Sequence, residues 1–227
     1  MKILMVAATW MEVKLLTDEL EYKGEKSHLL NQYCLAEHEI DILITGIGTT
    51  FATFHLTNTL QNNNYQIVIN IGIAGSLSRD LGIGEVVNVV SEEFADLGIE
   101  EKEEFLTLFE TGFIESNEFP FEGGLLKATN NNGFPNIKKV RGITSNKSHG
   151  RDSSIVEIQQ KFLAHVESME GAAVLFVCSW LGIPCYQIRA ISNYVEPRDS
   201  SKWNIPLALE NLQKTVLQIL TELPVLV

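Results

Sequence analysis

The sequence predicts a single α/β domain in which a mixed central sheet is flanked by helices. Three observations predict it. Short apolar runs, Ile3 to Ala8, Gln66 to Ile71 and Ile183 to Ile191, alternate with segments of helical apolar spacing, as buried strands and their crossover helices do. Two more strands, 28–36 and 40–45, meet at the turn around Glu37-His38-Glu39 and read as an antiparallel pair, which makes the sheet mixed. The 227 residues are 45% hydrophobic and no linker interrupts them, so one substantial core is expected.

Composition narrows the partners. Acidic residues number 29 against 17 basic, a formal net charge of -12, which argues against nucleic acid or an anionic membrane surface as a partner. Cys34, Cys178 and Cys185 sit in apolar settings without metal-ligand spacing and read as reduced packing residues of a cytoplasmic protein. The opening Met1 to Ala8 is too short for a signal peptide and runs at once into a charged helix, so it reads as the first strand. No apolar stretch is long enough to span a bilayer, so the sequon at Asn146-Lys147-Ser148 carries no expected consequence.

In chain order, the strand Ile3 to Ala8 is followed by a helix from Met11 to Leu20 with apolar residues at Met11, Leu15, Leu16 and Leu20. Glu12 stands at that strand-to-helix crossing, either as a functional carboxylate or as a first-turn acid complementing the helix dipole. Gly46-Ile47-Gly48-Thr49-Thr50 precedes a helix from about Phe51 to Leu60; Phe51 and the lack of a downstream acid rule out a dinucleotide fingerprint. Gln66 to Ile71 leads into Gly72-Ile73-Ala74-Gly75-Ser76, whose small residues let backbone approach a flat ligand or simply permit close packing. A strand from Gly84 to Val90 comes next.

Residues 92–136 form an acidic excursion rich in Phe (Phe94, Phe105, Phe109, Phe113, Phe119, Phe121 and Phe134), whose rings either pack a subdomain or subunit contact or wall an apolar pocket. Strand character returns from Ile137 to Ser145. A loop bearing His149 and Gly150 follows, then a helix from about Ser154 to Phe162 capped by Asp152 or Ser153. A short strand at His165 to Ser168 runs through Met169 and Glu170 into a helix, Val174 to Leu181. At such a helix start a carboxylate is a two-point acceptor for vicinal hydroxyls. The last strand ends in Arg189-Ala190-Ile191-Ser192-Asn193, and Asn193 either merely turns the chain or presents an amide to a ligand at the strand's carboxyl end. A covering helix, about Trp203 to Leu223, closes the chain.

Four of these features, Glu12, Ile73-Ala74-Gly75-Ser76, Val166-Glu167-Ser168-Met169-Glu170-Gly171 and Arg189 to Asn193, together resemble the purine nucleoside phosphorylase and methylthioadenosine/adenosylhomocysteine nucleosidase superfamily. Within it, Ser192-Asn193-Tyr194-Val195-Glu196-Pro197-Arg198-Asp199 with Trp203 shortly after looks like the signature of the futalosine hydrolase branch, from the alternative menaquinone pathway. The resemblance implies a three-layer nucleoside phosphorylase-like fold and an N-ribosyl hydrolase that uses no cofactor or metal. It also implies a small-molecule nucleoside as the partner and a homo-oligomer, most simply a dimer.

The implied chemistry can be set against the residues. Glycosyl cleavage passes through an oxocarbenium-like sugar, so stabilising charge on the departing base lowers the barrier. Adenine-specific relatives carry Asp where this chain has Asn193. An amide cannot act as a general acid, but it can donate to N7 or a 6-oxo group, which points to hypoxanthine as the leaving group. Glu12 matches the carboxylate that orients the attacking water. Arg189 matches an arginine near that water; it either pairs with Glu12 or serves a structural ion pair. Glu170 would bind the ribose hydroxyls above Met169, Ala74-Gly75 would offer backbone to the base beside Ser192, and the His149-Gly150 loop would close over it. Ile73 departs from relatives that place a water-binding Ser there. Arg198 either reads the substrate's carboxylate tail or pairs with Asp199. The alternatives are a methylthioadenosine/adenosylhomocysteine nucleosidase, a 6-oxopurine nucleoside phosphorylase, and a nucleoside-binding module without catalysis.

Overall fold

The computed structural model describes residues 1–129 and 137–223. The chain begins with β1 (Lys2–Ala7) and α1 (Trp10–Thr17), then the meander β2 (Glu21–Ser27), β3 (Leu30–Leu35) and β4 (His38–Ile44), then α2 (Thr49–Asn62) and β5 (Ile67–Ser76). β6 (Val86–Phe94) leads into the excursion, which holds a hairpin of β7 (Gly98–Glu101) and β8 (Glu104–Thr107) and the two-residue β9 (Leu126–Lys127). β10 (Lys138–Thr144), α3 (Asp152–Lys161), β11 (Val166–Ser168), α4 (Gly171–Leu181), β12 (Cys185–Tyr194) and α5 (Ile205–Glu222) follow.

The main sheet runs β11-β10-β6-β12-β5-β1-β4-β3-β2, and β5 also pairs with β11, so one end of the sheet curls back and closes on itself. β1 is parallel to β4 and β5, and β12 is parallel to β5 but antiparallel to β6, which bears out the expected mixed sheet. Alternation along β1 builds the three layers. Ile3, Met5 and Ala7 pack with Val13 and Leu16 of α1 and Ala208 and Leu212 of α5. Leu4 and Val6 pack with Leu56 of α2 and Val174 and Val177 of α4 on the other face.

Several boundaries differ from the sequence reading. α1 ends at Thr17, and it buries Val13 and Leu16 while Met11 and Leu15 face outward. β2 was not foreseen. Its exposed sequence, EYKGEKS, shows no alternation, and pairing with β3 supplies its order. β5 continues past Ile71 to Ser76 because β12 and β11 pair with its Gly- and Ala-bearing end. Neither Asp152 nor Ser153 caps α3; Arg151 holds the N-cap position without a side-chain bond. α4 begins at Gly171, directly after Glu170.

The excursion's aromatic rings pack onto α4. Phe121 lies against Phe109 and Phe176 at centroid distances of 5.0 and 6.1 Å, and Phe119 meets Trp180 edge-on at 5.0 Å. Phe134 lies outside the described residues.

Candidate active site

Because β1, β5 and β12 are parallel, the loop after β1 and the last residues of β5 and β12 gather at one end of the sheet. Glu12 sits in the first turn of α1. One oxygen, Oε2, accepts from the N–H and the hydroxyl of Thr9 at 2.9 and 3.0 Å, so this carboxylate does cap its own helix. The other oxygen, Oε1, accepts the Ile73 N–H at 3.1 Å, and its remaining lone pair is uncommitted. Ile73 thus reaches Glu12 through its backbone alone.

Gly72 makes the meeting of Glu12 and Arg189 possible. A Cβ there would stand 2.5 Å from Glu12 Oε1 and 2.9 Å from an Arg189 terminal nitrogen, so both side chains occupy the space a larger residue would fill. Arg189 pairs with Gly72 in register and is 2% exposed. It takes part in none of the salt bridges among the described residues, and its buried Nε lacks a hydrogen-bond partner. Its charge is spread over several acids and not committed to Glu12.

Two of those acids are buried. Glu170, at the N-cap of α4, accepts the Gly48 N–H at 2.8 Å. Burial raises its pKa, Arg189 and the Gly48 N–H oppose the rise, and Glu12 adds to it. The net direction is upward, so burial outweighs the contacts that favour the ionised form. Glu92 is 1% exposed and is pushed up to about 7 by burial, against the pull of Arg189, Thr144 and Gln187. It receives the Thr144 hydroxyl at 3.0 Å and the Gln187 amide, which in turn accepts from Asn70 at 2.8 Å. Asn70, Gln187, Glu92 and Thr144 form a buried polar chain beneath Arg189.

Asn193 is the penultimate residue of β12, beyond a bulge at Ser192 that re-aims the strand. Its Oδ1 accepts the Ser192 hydroxyl at 2.8 Å and its Nδ2 donates to the Tyr194 carbonyl at 3.0 Å. A carbonyl can only accept, so this contact fixes the amide orientation that sequence leaves open. One Nδ2 hydrogen and one Oδ1 lone pair remain. Gly75 pairs with Asn193 on one side and Glu167 on the other. Ala74 is buried, and its carbonyl lies 3.3 Å from the Ser192 hydroxyl.

His149 is buried, and both its backbone N–H and its ring Nδ1 engage the Glu167 carboxylate. Its loop is tied to α2, since Asn146 accepts from Thr49 N–H and hydroxyl at 3.0 and 2.8 Å. Gly150 O accepts the Arg198 N–H at 3.2 Å, joining the loop after β10 to the loop after β12. Arg198 is exposed and does not pair with Asp199, which instead caps Ser201; the guanidinium lies 5.0 Å over the Trp203 ring. Met169 is half-buried at the turn into α4. A cavity of about 800 Å³ opens between α2, α4 and the excursion, lined in part by Thr49, Phe54, Phe109, Phe121 and Phe176. None of Glu12, Glu170, Arg189 and Asn193 lines it. Among the described residues no group of three or more His, Cys, Asp or Glu could hold a metal, and no helix is long and apolar enough to cross a membrane.

The family model of the phosphorylase superfamily matches residues 2–221. The chain belongs to the phosphorylase superfamily. A futalosine hydrolase of Thermus thermophilus is 30% identical over 185 residues, 79% of this chain and 80% of that protein. A 5'-methylthioadenosine/S-adenosylhomocysteine nucleosidase of Bacillus cereus is 30% identical over 206 residues, 85% of this chain and 86% of that protein. The solved futalosine hydrolase of Helicobacter pylori superposes with a TM-score of 0.83 at 18% identity, covering 98% of each chain, which shows the shared fold.

Within this phosphorylase-superfamily fold, the sequence reading missed Glu92, Gln187 and the pairing of Glu167 with His149. It also missed the pinning of Glu196 by Arg79 and Lys202 at 2.7 and 3.1 Å. Gly72 and Gly75 read from sequence only as small residues; in the structure Gly72 makes room for Glu12 and Arg189, and Gly75 for Val195 and Asn193.

Proposed function

We propose that the chain is an N-ribosyl hydrolase that cleaves futalosine to hypoxanthine and the dehypoxanthinyl product. One observation carries the choice of water over phosphate. At the crossing where a phosphorylase needs a cationic pocket, the single guanidinium of Arg189 is set among Glu12, Glu92 and Glu170. An incoming phosphate dianion would be repelled there, whereas a water is held by the free lone pair of Glu12. The Thermus thermophilus relative, named as a futalosine hydrolase, supports the substrate.

In this reading the nucleoside lies along β5 from Gly72 to Gly75, a span of roughly 10 Å at about 3.3 Å per residue. Glu12 takes a proton from the water that attacks the anomeric carbon. Glu170 accepts from the ribose hydroxyls, with Met169 beneath the ring. The spare Nδ2 hydrogen of Asn193 meets the charge that builds on N7 or O6 of the departing base. Arg198, free of Asp199, takes the carboxylate of the tail.

The test is hypoxanthine release from futalosine with and without phosphate, repeated with Glu12→Gln. Turnover should be independent of phosphate and fall by orders of magnitude in the variant while hypoxanthine still binds. Phosphate-dependent turnover would overturn the reading, and adenine release from methylthioadenosine at a higher rate would move the chain to the other nucleosidase branch. We further infer a homodimer, supported by exposed Ile47, Phe51 and Phe54, at 53%, 57% and 66%, clustered around the start of α2. Sedimentation at two protein concentrations tests it, and a monomer at both would refute it.

A further inference from the structure

Glu167, Gly75 and Asn193 form one cross-strand row, because β11 and β12 both pair with β5 at Gly75. Directly paired residues project to the same face of a sheet. The row therefore sets two polar side chains on either side of a position that has none. Asn193 stands on one side. On the other, the Glu167 carboxylate holds His149 twice, through the backbone N–H at 3.0 Å and through ring Nδ1. Above the row, the contact of Gly150 O with Arg198 N–H bridges the two loops.

The chemistry of that hold is directional. A carboxylate only accepts, so the proton shared with the imidazole sits on Nδ1, and Nε2 is the nitrogen left to act outward. Both Glu167 and His149 are buried, at 5% and 7% exposure, and neither has a part in the cleavage step above. A buried carboxylate committed to orienting one imidazole has the arrangement of a recognition pair, since it fixes which ring nitrogen faces the ligand.

We propose that His149, positioned by Glu167, accepts the N1–H of a 6-oxopurine through Nε2 and is the residue that rejects 6-aminopurines. This rests on the hydrolase reading. A 6-oxopurine carries a hydrogen on N1, whereas a 6-aminopurine presents a lone pair there, so the same acceptor attracts the first and repels the second. Asn193 alone selects weakly, because an amide offers both a donor and an acceptor. The acceptor on the opposite side of Gly75 supplies the discrimination Asn193 lacks. Glu167 is a positioning residue, since it reaches the base only through His149.

The test measures competitive inhibition of futalosine turnover by hypoxanthine, 1-methylhypoxanthine and adenine. The wild-type protein should bind hypoxanthine about tenfold or more tightly than either analogue, the loss expected when a buried acceptor goes unpaired. In Glu167→Gln, whose amide can donate to Nδ1 and so reverse the tautomer, the preference over adenine should shrink to about threefold or less. His149→Ala should shrink the preference in the same way. The inhibition by 1-methylhypoxanthine in the wild-type protein needs no variant and decides the matter even if both substitutions unfold the chain. Binding of 1-methylhypoxanthine as tight as hypoxanthine would overturn the proposal, and an unchanged preference in Glu167→Gln would overturn the role of Glu167. Wild-type protein that releases hypoxanthine from futalosine yet shows no such preference refutes this inference alone. Protein that releases none refutes the hydrolase reading and this inference together.

Discussion

Replacing Glu92 by Gln should make the stability of the protein less dependent on pH, and the structure gives the size and sign of the change. Glu92 is buried, with Thr144 and Gln187 donating to it and Arg189 and Glu170 as its charged neighbours. Burial wins over the favourable contacts and moves its pKa from an ordinary 4.5 up to about 7. Between these two values the folded chain holds a proton that the unfolded chain has released. The associated stabilisation is complete below about pH 4.5 and is lost as pH rises through about 7. At about 1.4 kcal/mol per pH unit, the contribution lost amounts to about 3 kcal/mol. Gln cannot ionise, so the variant escapes this loss. Urea unfolding of both proteins at a series of pH values from 4.5 to 8 measures it. The stability of Glu92→Gln minus that of the wild type should rise by about 3 kcal/mol across the range, whatever constant offset the altered hydrogen bonds impose. A difference that stays flat with pH would mean that Glu92 titrates normally, and the desolvation argument for this buried chain would fail.

Three other outcomes follow from the site. Asn193→Asp should move the preference from 6-oxo toward 6-amino purine nucleosides, because an acid can protonate N7 and accept from the amino group; an unchanged ratio of kcat/KM for inosine and methylthioadenosine would refute the amide's role. Arg198→Ala should raise KM for futalosine about tenfold, the scale of one charged hydrogen bond, and leave KM for inosine, which lacks the tail, unaltered. Gly72→Ala places a methyl group 2.5 Å from Glu12 Oε1 and should lower kcat about a hundredfold with a small change in KM, since Glu12 is held by Thr9 and Ile73 and cannot retreat freely. Normal kcat in that variant would show that the position of Glu12 is not critical.

The parts legible in the sequence were those whose local chemistry repeats along the chain. Continuous apolar runs marked β1, β5 and β12, and helical spacing marked α5, because the apolar residues that build the core are also the ones that set the pattern. β2 was invisible since its exposed residues show no alternation: backbone pairing to β3 and side-chain contacts such as Tyr22 with Tyr33 and Lys26 with Asp41 order it, and those partners lie far along the chain. The excursion's hairpin was missed for a similar reason: β7 is largely exposed and β8 half-buried, and they pair with each other over only four residues.

Glu92 shows a deeper limit. Charged residues are almost never fully buried, so the Glu92-Glu93 pair just past the predicted strand reads as solvent-facing. What marks Glu92 as internal lies elsewhere in the chain: Gly142 and Gly171 each stand where a side chain would collide with its carboxylate. Gly72 stands in the same relation to Glu12 and Arg189, while a Cβ at Gly75 would collide with Val195 and stand 3.3 Å from the Asn193 amide. In this fold a polar side chain enters the interior where the strand or helix beside it gives up its own. Gly72, Gly142 and Gly171 make this room for Glu12, Arg189 and Glu92, so the site is shaped by absent side chains as much as by the carboxylates that fill the space. For that reason a methyl group at Gly72 tests the site as directly as the removal of Glu12 does.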